Sequence, residues 1–198
     1  MESARIQKIA RVLNALVLIA LVCNIIILYL VPVAVVAQDL SDGRGLLAGV
    51  VSYLGDFLHP GEDDILSAGT AASFLAWFWC WKSPSARMLT LFLVISGICT
   101  AIILWQGRRV LRTILQGTPF SAENAVSLRR AAVCAFVIAG AALVRVVWSI
   151  WFHHSLLPLV TYNALFVPIF AMAGLLCLVM SALFRQAAEM KSENDLTI

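Results

Sequence analysis

Arg145 is the one charged residue well inside an otherwise apolar run, which makes it the first candidate for chemistry. It lies seven residues before Phe152, about 10 Å along a helix at ~1.5 Å per residue. An arginine at the bilayer centre costs about 2.5–3.5 kcal/mol on insertion scales, so its presence points to a role. Tyr29, Tyr162 and Asn163 are expected at a similar depth. Together they form a candidate intramembrane polar site, of the kind a small-molecule or ion transporter needs. In the competing reading, Arg145 snorkels to the surface and pins helix packing.

Two further groups of residues need weighing. His59, Glu62, Asp63, Asp64, His153 and His154 pair imidazoles with carboxylates, a divalent-metal chemistry. Adjacent histidines point in different directions on a helix, however, and Glu62-Asp63-Asp64 has the composition of a solvated loop, so no metal site is assigned. The second group is Phe120, Ser121, Glu123 and Asn124, in the turn Gly117-Thr-Pro-Phe-Ser-Ala-Glu-Asn124, with Glu193, Asn194, Asp195, Leu196 and Ile198 of the tail. These are candidates for docking a soluble partner. The carboxylates suit a basic surface, and Leu196 and Ile198 offer apolar anchors. The chain has no Gly-rich phosphate loop, nucleophile elbow or His-Glu-x-x-His pairing. No enzymatic activity and no cofactor are expected. Five cysteines, odd in number and without metal-type spacing, read as small buried hydrophobes.

The elements that carry these residues follow from composition. Of the 198 residues, 62% are hydrophobic and 13% charged, against roughly 25% charged in soluble domains. Apolar runs at about 12–37, 86–107, 131–152 and 160–184 are each near the ~20 residues that cross ~30 Å of hydrocarbon as a helix. The expected fold is an all-α, integral membrane four-helix bundle, a single membrane domain with the lipid bilayer as its first partner. Arg5, Lys8 and Arg11, then Arg108, Arg109, Arg112, Arg129 and Arg130, then Arg185 and Lys191 make ten of the 14 basic residues. By the positive-inside rule they put both termini, the 108–130 loop and the 185–198 tail in the cytoplasm. This explains the basic segments without direct nucleic-acid binding. The long 38–85 loop, with its six acids, then lies outside. Within it, 65–81 is uncharged and ends Trp77-Phe-Trp-Cys-Trp81. A fifth span there would move five arginines outside, so an interfacial helix is the preferred reading. The first run is too long for a typical signal peptide and is read as an anchor.

Local signals set the ends. Beyond the second run, Val110, Leu111, Ile114 and Leu115 share a face opposite Arg108, Arg109 and Arg112, an amphipathic continuation. Gly117 stops that helix, Pro119 keeps Thr118 extended, Ser121 caps the next helix, and Glu123 suits its positive end. Ala131, Ala135 and Ala139 form a small-residue row for close helix approach, as do Gly97 and Ala101. Pro32 and Pro168 fall inside spans.

The turn Phe120-Ser-Ala-Glu-Asn124 and the end Lys191-Ser-Glu-Asn-Asp-Leu-Thr-Ile198 resemble those of a bacterial membrane family, domain of unknown function 2975. The resemblance covers mostly Met88 to the end. It implies four spans, no enzymatic activity, location in the bacterial cytoplasmic membrane, and a regulatory partner, because members are often encoded beside a small helix-turn-helix regulator. The expected function is therefore a non-enzymatic, multi-pass regulatory protein docking a small cytoplasmic partner. A transporter centred on Arg145 and a structural subunit of a membrane complex are the alternatives. The ligand and the homo-oligomeric state stay open.

Overall fold

The structure, a computed structural model, describes residues 2–40, 76–78, 81, 84–116, 121–154 and 162–195. Among these the protein is all-helical. Its helices are α1 (Glu2–Leu40), α2 (Pro84–Leu115), α3 (Ala122–His153) and α4 (Tyr162–Asp195). All four are long and apolar enough to cross a membrane. The chain is a multi-pass membrane protein. Every helix outruns its apolar run. α2 adds two turns past residue 107, α3 starts well before 131, and α4 continues past 184 to Asp195. The last is longer than expected, since the first residues of the polar tail are helical too. Neither proline breaks its helix: α1 runs through Pro32 and α4 through Pro168.

The chain divides into two compact units, each described by itself. In the unit Ile26–Val94, Val31 and Val35 of α1 meet Ala86 of α2 in a small core, with Leu89, Leu93 and Val94 packed against it. Pro32 is fully buried. Of the 65–81 segment, only a helical turn at 76–78 and Trp81 are described, and the Trp81 amide donates to the Phe78 carbonyl at 3.3 Å. The rest of that segment, the 41–75 stretch with its acids and His59, and residues 117–120 lie outside the described residues.

The other unit holds Met1–Ile25 and Ile95–Ile198. Here α3 presents a buried stripe of Asn124, Ser127, Ala131, Ala135, Ile138 and Ala142, spaced three or four residues apart as one helix face requires. The expected alanine row lies on or beside this stripe, with Ala139 also buried. Small residues let a neighbouring helix come close, and α3 and α4 do pack along each other. Near mid-helix the Phe136 ring lies over Gly174. A Cβ added at Gly174 would meet ring carbons at 3.0–3.1 Å. The opposite face of α3, through Val133, Val137, Val144, Val147 and Trp148, is exposed. From Arg130 to Trp151 is ~31 Å at ~1.5 Å per residue, the hydrocarbon thickness of a bilayer. Trp151, at the far end of this length, is 78% exposed.

Candidate functional site

Residues of α2, α3 and α4 converge at the arginine-rich end of this unit. Ser121 caps α3 in extended conformation (φ −122°, ψ 145°), its hydroxyl accepting from the Asn124 amide at 3.4 Å. The Ser121 carbonyl accepts from the same amide at 3.0 Å, and Glu123 occupies the first turn. The cap expected from the sequence is therefore formed, satisfying one of the helix's open amides.

Asn124 does something different from what its motif suggests. It is 0% exposed and reaches across to Thr113 on α2. The Thr113 hydroxyl sits 2.7 Å from Asn124 Nδ2, 3.0 Å from Oδ1, and 2.7 Å from the Val110 carbonyl. A hydroxyl has one proton to give. Donating to the Val110 carbonyl while accepting from Nδ2 satisfies both groups. The side chain of Asn124 thus ties α3 to α2 from a buried position and does not face a partner in this conformation. Thr113 was not singled out by sequence reasoning. The available signal was a hydroxyl one turn after Arg109, at the border of the two faces of the amphipathic continuation and on the other side of the turn from Asn124.

Two further contacts fix the helices at this end. Arg109 donates to Glu123 at 3.1 Å, with the two side chains 49% and 70% exposed. Ser181 of α4 donates to the Ala125 carbonyl of α3 at 2.7 Å. With the Phe136–Gly174 contact, this sets α3 and α4 antiparallel and puts Ser181 of α4 beside the first turn of α3. Beyond Ser181, α4 runs on as an exposed helical arm. Arg185 pairs with Glu189 at 2.9 Å, and Met190, Lys191, Ser192 and Glu193 are exposed. Asn194 and Asp195 continue the helix, though their side chains lie outside the described residues, as do Leu196, Ile198 and Phe120 altogether.

The intramembrane candidates are less completely assembled. Arg145 is half-buried and lies seven residues from Ile138, on the inner stripe of α3 rather than its exposed face. The α3–α4 register carries it level with residues 161–165. Tyr162 and Asn163, the first residues of α4, fall within that range of the helix, and their side chains lie outside the described residues. Tyr29 is 54% exposed and belongs to the other compact unit. Of the cysteines, Cys99 and Cys134 bring their thiols within hydrogen-bonding reach between α2 and α3. Cys177 is half-buried, and Cys23, expected to be buried, is exposed on an apolar helix face.

A family model described as "Protein of unknown function (DUF2975)" matches residues 64–198. The chain belongs to this family. The DUF2975 match begins at residue 64 rather than near Met88, so it takes in the tryptophan-rich segment as well as α2, α3 and α4. It therefore contains the whole Thr113–Asn124–Ser181 end and leaves α1 outside. No curated protein and no solved structure matches the chain.

Proposed function

We propose that this DUF2975 protein is a non-enzymatic regulatory protein of the bacterial cytoplasmic membrane. Both termini face the cytoplasm, and the arginine-rich end docks a small soluble partner such as a helix-turn-helix regulator. One observation carries the reading. α4 continues past its apolar run to Asp195 as an exposed polar helix, beyond the Ser181 contact with the first turn of α3. A helix with little packing of its own gains from a partner that covers it, as peptide helices do in grooves. Glu123 and Glu193 are exposed and add negative charge to this end. The inward orientation rests on the arginines of 108–130.

The test is co-purification of a small helix-turn-helix regulator with the full-length protein and with a chain cut after Met190. The expected result is loss of the regulator from the shortened chain while it still inserts. Equal recovery from both removes the arm from the proposal. Reporter fusions at each terminus check orientation, and an extracytoplasmic signal at either end overturns it.

A further inference from the structure

The exposed face of α2 changes character along its length. Ile98, Ile102 and Trp105 are exposed, and the next turns on that side carry Arg108, Arg109 and Arg112. Spacings of three, four and seven residues from Trp105 keep all three arginines on one side of the helix. Apolar surface, an interfacial indole and cationic heads in that order match the profile of one phospholipid, from acyl chain to phosphate.

The arginines are poorly compensated. Among the described residues the ion pairs at this end are Arg109–Glu123 and Arg185–Glu189. Neither takes up Arg108, Arg112, Arg129 or Arg130. Arg108 and Arg112 are four residues apart, a like-charge spacing that destabilises a helix unless an anion lies between them. Arg108 is also half-buried, and its Nε is a buried donor with no hydrogen-bond acceptor. Leaving such a donor unmet is unfavourable, the more so when it is charged. Arg129 and Arg130 add to the same layer. The Arg109–Glu123 and Thr113–Asn124 contacts put them level with residues 102–108 of α2, the stretch holding Trp105.

We propose that this end binds an anionic phospholipid. Its phosphate lies between Arg108 and Arg112, and its acyl chains run along the exposed face past Trp105. Phosphate is an acceptor-only group of the right charge for guanidinium donors, and the adjoining apolar strip selects a lipid over a free phosphate. The site is independent of any protein partner.

The experiment uses the full-length protein in zwitterionic detergent, with native mass spectrometry to count retained lipids and thermal unfolding as a second readout. Phosphatidylglycerol and phosphatidylcholine of matched chains compete at equal concentration, and glycerol phosphate is added separately. The expected result is preferential retention of phosphatidylglycerol and a thermal shift that glycerol phosphate does not reproduce. Arg108→Gln with Arg112→Gln weakens that retention about thirtyfold, from ~1 kcal/mol per near-surface cation. Arg87→Gln, at the other end of α2, leaves it unchanged. Equal retention of the two lipids by the wild-type protein overturns the proposal without any variant. So does an equal loss in Arg87→Gln, or a glycerol phosphate shift as large as the lipid's.

Discussion

Ser181 of α4 hydrogen-bonds the Ala125 carbonyl of α3 at 2.7 Å, joining residues 56 apart in sequence at the first turn of α3. The same turn holds Asn124, which binds Thr113 of α2. Three helices are therefore fixed together within two consecutive residues. The two links should differ in strength. The Ala125 carbonyl can keep its intrahelical bond when Ser181 is lost, whereas Asn124 is fully buried and fills space as well as bonding. Ser181→Ala is expected to cost about 0.6 kcal/mol, the average for an interhelical hydrogen bond in a membrane protein. Asn124→Ala is expected to cost about 1–3 kcal/mol. Reversible unfolding in mixed micelles measures both, and a Ser181→Ala loss equal to or above that of Asn124→Ala contradicts the ranking.

Thr113 and Asn124 should be coupled to each other. With Thr113→Val the Asn124 amide loses its acceptor, and with Asn124→Ala the Thr113 hydroxyl keeps the Val110 carbonyl. The single losses should therefore overlap in the double variant. A double-mutant cycle is expected to give an interaction of about 0.5–1.7 kcal/mol. Strict additivity means the contact contributes nothing to holding α2 against α3.

How far this arrangement could be read from the sequence depends on whether its cause was local. The helices follow from apolar runs, and the Ser121 cap follows from a side chain three residues from the amide it meets. Both were legible. The burial of Asn124 was not, because nothing within α3 distinguishes an asparagine facing a partner protein from one facing α2. That outcome depends on Thr113, eleven residues away across a turn. α4 is longer than its sequence suggests for a related reason. Lys191-Ser-Glu-Asn-Asp195 is polar throughout and carries no periodic apolar signal. The helix persists there through continuity with the span before it and the Arg185–Glu189 pair. Arg145 stands out in the sequence as a lone charge in an apolar run, but its place on the inner stripe depends on the burial of Ile138 and Ala142.

Glu123 separates stability from docking. Its ion pair with Arg109 is largely exposed, and such pairs contribute about 0–1 kcal/mol. Glu123→Ala should leave unfolding nearly unchanged and reduce recovery of a basic partner. Melting curves and co-purification from the same preparations test this together. Unchanged recovery with unchanged stability takes Glu123 out of the docking surface.

The α3–α4 contact offers a graded test of packing at mid-helix. Gly174 is buried, and any side chain there enters the space of the Phe136 ring. With alanine the ring need only give by a few tenths of an ångström, and the ring end is movable. Alanine is also the better helix former by about 0.8–1.0 kcal/mol. Gly174→Ala is therefore expected to be nearly neutral. Gly174→Leu has no such escape, because its branched end exceeds what a ring rotation clears. Overpacking of this kind costs about 1–3 kcal/mol. Pairing it with Phe136→Ala should recover part of the loss, since the smaller residue vacates the volume the leucine needs. Unfolding of the three variants decides the matter. If Phe136→Ala makes Gly174→Leu worse rather than better, the two residues do not meet across this interface.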